Sequence, residues 1–121
     1  MSKISSFEDL HIWQESMSIA TELYTEFKDC KDFAYRDQIL RASLSVPLNI
    51  AEGFERNNNK DFYNFLRYAK GSAGEVRTQI IFAKGVKLMK EQKADGYISL
   101  LKTLSKQIQT LMSSINGRLG R

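Results

Sequence analysis

Apolar residues recur along this chain at alternating steps of three and four. Leu10, Trp13, Met17, Ala20, Tyr24 and Phe27 follow steps of 3, 4, 3, 4, 3. Phe62, Leu66, Ala69, Ala73, Val76, Ile80 and Ala83 follow 4, 3, 4, 3, 4, 3, and Tyr97, Leu101, Leu104, Ile108, Leu111 and Ile115 follow 4, 3, 4, 3, 4. Such alternation keeps one apolar seam on one face of an α-helix. No segment sustains the period of two that a half-buried strand needs, so no strand is predicted. A further segment, from Phe33 to Arg56, is apolar but less regular and contains Pro47. Proline lacks the amide donor and clashes one turn back, so a kink near Ser43–Pro47 is expected.

Polar punctuation separates these segments. Ser5-Ser6-Phe7-Glu8 reads as a capping box at the first helix start. Breaks fall at Lys28–Asp32, at Asn57–Asn59 and at Lys90–Asp95, and Asn58 with Asp61 three residues later is suited to cap the third helix. Gly117 and Gly120 are placed to end the fourth. The predicted helices cover residues 6–28, 33–56, 59–89 and 94–116. Short connections make neighbours antiparallel, which gives a single all-α domain: an up-down-up-down four-helix bundle with a kinked second helix.

The helices carry more apolar surface than one such bundle needs. Ile12, Ile19 and Leu23 lie off the first seam, Phe65, Tyr68 and Phe82 lie off the third, and Arg41 is the only charge between Gln38 and Ala51. A helix in a monomeric bundle shows one apolar stripe, so these extra lines point to burial against another subunit.

Composition narrows the function classes. The chain has 121 residues, a size suited to one domain, with 42% hydrophobic and 26% charged residues, which is enough for a packed core. Its longest run without a charged residue is 11 residues, Gln107 to Gly117, too short for a membrane span. The amino terminus lacks the apolar stretch of a signal peptide, and Cys30 is the only cysteine, so a reduced, cytoplasmic setting is expected. Charge is uneven: residues 1–60 hold seven Lys/Arg against ten Asp/Glu, and residues 61–121 hold eleven against four. A basic half of this kind fits an anionic partner such as nucleic acid.

The basic residues also keep helical period. Tyr63, Arg67, Lys70, Gly74, Arg77, Ile81 and Lys84 step by 4, 3, 4, 3, 4, 3 beside the apolar seam, and Lys102 and Lys106 lie one turn apart on the fourth helix. Arg67, Lys70, Arg77, Lys84, Lys102 and Lys106 are therefore the candidate nucleic-acid contacts. The competing reading is a solvated face, or pairing with Glu15, Glu22 and Glu26 of the first helix. Glu52 and Glu75 could form an acid–base pair, but no second nucleophile accompanies them; a partly buried structural network with Arg41, Arg56 or Arg77 fits better. Glu8 and His11 form half of a di-iron signature, and one chain with one histidine cannot complete it. Gly71-Ser-Ala-Gly74 lacks the strand and the Gly-Lys-Ser/Thr ending of a phosphate loop. No metal, cofactor or catalytic group is expected.

A pattern runs through residues 7–83. It opens with Phe7, Asp9, Leu10, Trp13 and Gln14 and continues through Gln38, Arg41-Ala42, Ser45-Val46-Pro47 and Asn49-Ile-Ala-Glu-Gly53. It closes with Arg56, Phe62, Phe65-Leu66, Ala69, Gly71-Ser72 and Glu75. This resembles the four-helix-bundle family of 23S rRNA intervening-sequence proteins, which also contains the accessory variability proteins of diversity-generating retroelements. The sequence departs from the family where Leu40 precedes Arg41 and where Phe27-Lys28 stands in the first loop. The resemblance implies a small bacterial protein forming a barrel-like homopentamer, and it does not imply an enzyme. It implies association with nucleic acid in some members, and with a reverse transcriptase in others. Both remain open for this chain: an RNA-binding oligomer, or a protein-interaction module without nucleic-acid function of its own.

Overall fold

The computed structural model describes the backbone of residues 3–119 and the side chains of residues 3–117. A 3₁₀ turn, Phe7–Asp9, precedes four helices: α1 (His11–Phe27), α2 (Phe33–Glu55), α3 (Asn59–Gly85) and α4 (Glu91–Leu119). No strand occurs among the described residues. The helices run up-down-up-down. α2 packs along both α1 and α3, α4 packs along α3, and α1 meets α4 over a shorter stretch.

The predicted seams of α3 and α4 are the core. Leu66, Ala69, Ala73, Val76 and Ile80 of α3 are fully buried against Leu101, Leu104, Ile108 and Ile115 of α4 and Ile39, Val46 and Ile50 of α2. In α1 the inward face draws on both apolar lines. Ile12, Ile19 and Leu23 face the core together with Ala20 and Phe27 of the expected seam, whereas Trp13 and Met17 of that seam are half-buried and Tyr24 is 58% exposed. Ser16 sits within the buried line, its hydroxyl donating to the Trp13 carbonyl at 3.0 Å. The line read as surplus for another subunit thus belongs to the inward face.

Helix ends follow local chemistry. The Asp9 carboxylate accepts from the Ser5 and Ser6 amides at 3.0 and 3.2 Å, so the cap lies one residue beyond the expected Ser5/Glu8 pair. Those bonds hold its carboxyl below the ordinary aspartate value. Leu10 is extended, so the first helix starts at His11 and not at residue 6. Asp32 caps α2 by accepting from the Tyr35 amide at 3.2 Å, and Asn58 caps α3 by accepting from the Asp61 amide at 2.8 Å, as expected. The third connection is displaced from Lys90–Asp95 to Val86–Lys90. Lys87 is left-handed there, with φ of 65°; its amide donates to the Lys84 carbonyl and the Leu88 amide to the Ala83 carbonyl. That pair of bonds is a Schellman motif built on lysine instead of glycine. Gly117 lies within α4, and Gly120 lies outside the described residues.

α2 is helical without interruption across Pro47, so the expected kink is not marked by any break. Side chains around the proline bond to backbone carbonyls: Ser43 Oγ donates to Leu40, Ser45 Oγ to Ala42 and Asn49 Nδ2 to Ser45. Two cross-ties link helices far apart in sequence. The Tyr35 hydroxyl donates to the Gln79 carbonyl at 2.6 Å, and Lys93 of α4 pairs with Glu26 of α1 at 2.7 Å. Beside the second tie, burial, with Glu22 and Glu26 nearby, pushes the Tyr97 hydroxyl up to about 12.

Candidate nucleic-acid interface

Helices α3 and α4 are antiparallel, and their apolar seams meet below the surface. Residues one step off each seam therefore line a groove between them. Lys70, Gly74 and Arg77 form one wall. Lys102, Ser105, Lys106, Gln109 and Thr110 form the other, around an open volume of about 880 Å³. Four of the six predicted cations converge here from two helices. No carboxylate and no aromatic ring lines the groove. Among the described residues no ion pair involves Lys70, Arg77, Lys102 or Lys106.

Lys70 is held in place. Its ammonium donates to Gln109 Oε1 at 2.7 Å, and Gln109 Nε2 donates to Ser113 Oγ at 3.1 Å. A neutral amide fixes the lysine without cancelling its charge. Gln109 was missed in the sequence, although it shares the face of Lys102 and Lys106, seven and three residues on. Gly74 keeps the α3 wall low: a Cβ added there would meet nothing within 4 Å.

The other two predicted cations differ. Lys84 is bound to Asp95 at 2.7 Å and to Glu91 at 3.9 Å, and the hydrogen bond to Asp95 raises its ammonium above the ordinary lysine value. It staples α3 to the start of α4 and is removed from the list of free cations. Arg67 lies beyond the groove, its guanidinium 5.8 Å from the centre of the Tyr68 ring. Among the described residues no cation of the stripe pairs with α1, and Glu26 pairs with Lys93 instead.

The expected network of Arg41, Glu52, Arg56 and Glu75 is corrected. Only Glu52 and Arg56 meet, at 2.9 Å one turn apart on α2, and both are exposed. Arg56 also approaches Asp61 at 3.9 Å and lies over the Phe65 ring at 5.0 Å, so it joins α2 to the start of α3. Arg41 and Glu75 project to solvent, with no ion pair or hydrogen bond among the described residues. Each flanks a core position, Ala42 and Val76, and so points away from the core.

Away from the cations, a mostly apolar groove of about 420 Å³ separates α1 from α2, lined by Met17, Ala20, Tyr24, Leu40 and Leu44 among others. No helix among the described residues is long and apolar enough to cross a membrane.

Fold and site together define an all-α four-helix bundle with a cation-lined groove on one face. The 23S rRNA-intervening sequence protein family matches residues 8–110, and the chain belongs to that family. The match reaches well into α4, beyond the stretch in which the resemblance was legible. Among solved structures, the chain is similar to a protein of unknown function from the S23 ribosomal protein family of Bacteroides thetaiotaomicron. The two share 20% identity with a TM-score of 0.79, over 84% of this chain and 97% of the other. That likeness carries the fold. No curated protein matches the sequence.

Proposed function

We propose that this chain is a non-enzymatic, homo-oligomeric bundle that binds nucleic acid, RNA first, through the α3–α4 groove. One observation carries the reading: Lys70, Arg77, Lys102 and Lys106 converge from two helices on a groove without a single carboxylate. Cations left unpaired side by side repel one another, and a polyanion relieves that repulsion while releasing its counterions. A solvated face has no such need to exclude acids, and the stripe's outlying member, Lys84, shows how readily a nearby acid is recruited. The resemblance supports association with nucleic acid, and repetition of the groove around an oligomer would multiply the contact. The protein works in the cytoplasm on this reading.

The test is binding of a labelled RNA as salt is raised. With four phosphates neutralised, affinity falls by roughly a hundredfold between 50 and 200 mM salt. Changing Lys70 and Lys106 together to Glu abolishes binding and leaves helicity intact. Changing Lys3 and Lys31 to Glu, an equal change in charge away from the groove, has a smaller effect. Equal losses in the two variants would reduce the groove to part of a diffuse field. A complete lack of salt-dependent binding would favour the other reading, a protein-interaction module such as a reverse transcriptase accessory, for which the apolar α1–α2 groove offers a surface.

A further inference from the structure

We infer that the α3–α4 groove receives one sugar–phosphate ridge of an A-form RNA duplex, and neither stacks on bases nor reads them. The inference rests on the nucleic-acid reading above and specifies its ligand.

Single-stranded nucleic acids expose their bases, and proteins that hold them supply aromatic rings for stacking. This chain has thirteen aromatic residues (one Trp, five Tyr and seven Phe), yet none lines the groove. Tyr68, the ring carried by the same stretch of α3, lies outside the groove lining, with the Arg67 guanidinium 5.8 Å from its centre and the Phe65 ring centre 5.7 Å away. A ligand whose bases already stack and pair within itself needs no ring from the protein. What it presents outward is a phosphate ridge.

The walls suit such a ridge. Lys70 and Arg77 lie two turns apart on α3, about 10 Å, and Lys102 and Lys106 lie one turn apart on α4, about 6 Å. Cations thus border the groove on both sides, and the open space over Gly74 lets the ridge sit low against α3. Three of the four are lysines, point charges that hold phosphates without selecting bases.

The α4 wall carries the preference for RNA. Ser105 lies between Lys102 and Lys106, half-buried, and its hydroxyl makes no hydrogen bond among the described residues. Thr110 uses its proton on the Lys106 carbonyl at 2.9 Å, which leaves its oxygen free to accept. One donor-acceptor and one acceptor beside a row of phosphate-binding cations are placed for the 2′-hydroxyl, the group that separates RNA from DNA.

Fluorescence anisotropy at low salt tests this with four probes of about 20 nucleotides per strand. These are two RNA duplexes of unrelated sequence, one of their single strands, and the matching DNA duplex. The two RNA duplexes are expected to bind equally. Both should bind about fivefold or more tighter than the single strand and the DNA duplex, a margin equal to one hydrogen bond. Ser105→Ala should narrow the margin over DNA and leave the salt dependence unchanged, while Lys70→Glu with Lys106→Glu weakens all four probes. Tighter binding of the single strand, or equal binding of RNA and DNA duplexes, would overturn the inference and leave the nucleic-acid reading standing. Failure of every probe to bind would overturn both.

Discussion

A methyl group placed on Gly53 would lie 2.6 Å from the Phe65 Cβ and 3.1 Å from a Phe62 ring carbon. The first of these atoms is anchored to the α3 backbone and cannot swing aside. Gly53→Ala is therefore expected to push α2 off α3 and cost about 1–3 kcal/mol in chemical denaturation. Gly71 has the opposite environment, with nothing within 4 Å of a built Cβ. Gly71→Ala should stabilise the protein by up to about 1 kcal/mol, because alanine is the better helix former and nothing resists it. Similar stability changes in the two variants would contradict the contact at Gly53. Asp9 offers a pH test at the same scale. Its carboxylate accepts from the Ser5 and Ser6 amides, which lowers its pKa below 3.8. The cap's contribution is then present above pH 3.8 and is lost as pH falls through the lowered value. A nuclear magnetic resonance titration should place the Asp9 midpoint below that of a free aspartate, with Ser5 and Ser6 amide exchange rising in step. At this scale the sequence was partly legible. Asn58 could be named as a cap because its bond is local, whereas the restriction at Gly53 depends on a neighbouring helix.

Among the helices, the clearest departure from the sequence pattern is the turn between α3 and α4. Nothing local marks Lys87 as left-handed; Gly85, two residues earlier, is the residue that pattern favours, yet it ends the helix in regular geometry. Burial of Met89 and Ala94 draws the chain back early, and the Schellman bonds from Lys87 and Leu88 close the turn. Lysine has no side-chain means of easing that conformation. Lys87→Gly should raise stability by about 1 kcal/mol, measured by thermal or urea unfolding, and a loss would show that the lysine stem is needed there. Asn58→Ala should lower stability by about 1 kcal/mol, since the Asp61 amide loses its acceptor. The face of α1 was illegible for a different reason. Both of its apolar lines have helical period, and the inward face draws on both and is interrupted by Ser16, whose hydroxyl is satisfied inside its own helix. The basic stripe was legible as a stripe because its period is local. Which of its members stay free was not, because Lys84 finds Asp95 only after the third turn has folded.

At the scale of the whole molecule, the α3–α4 groove is lined by cations and the α1–α2 groove mostly by apolar side chains. The cations gather between α3 and α4, and the α1–α2 side carries Tyr24 at 58%, Leu44 at 46% and Leu48 at 58% exposure. Ile12 and Ile19, once grounds for a subunit contact, are 5% and 4% exposed and are spent on the core. The case for oligomerisation therefore moves to the α1–α2 face and to exposed apolar residues of α3, Ile81 and Phe82 among them. A contact of one such set against the other would be head-to-tail, the kind that closes into a ring. Light scattering at micromolar concentration should then give a mass several times 13.9 kDa. Leu44→Asp combined with Leu48→Asp should bring that mass down while circular dichroism stays helical, since both side chains point to solvent within one chain. Ile19→Asp should instead unfold the protein, because an aspartate there would be buried without a partner. A wild-type mass of one chain across a wide concentration range would sink the ring. A Leu44/Leu48 double variant with undiminished mass would leave the ring standing and overturn the placement of its contact on α2.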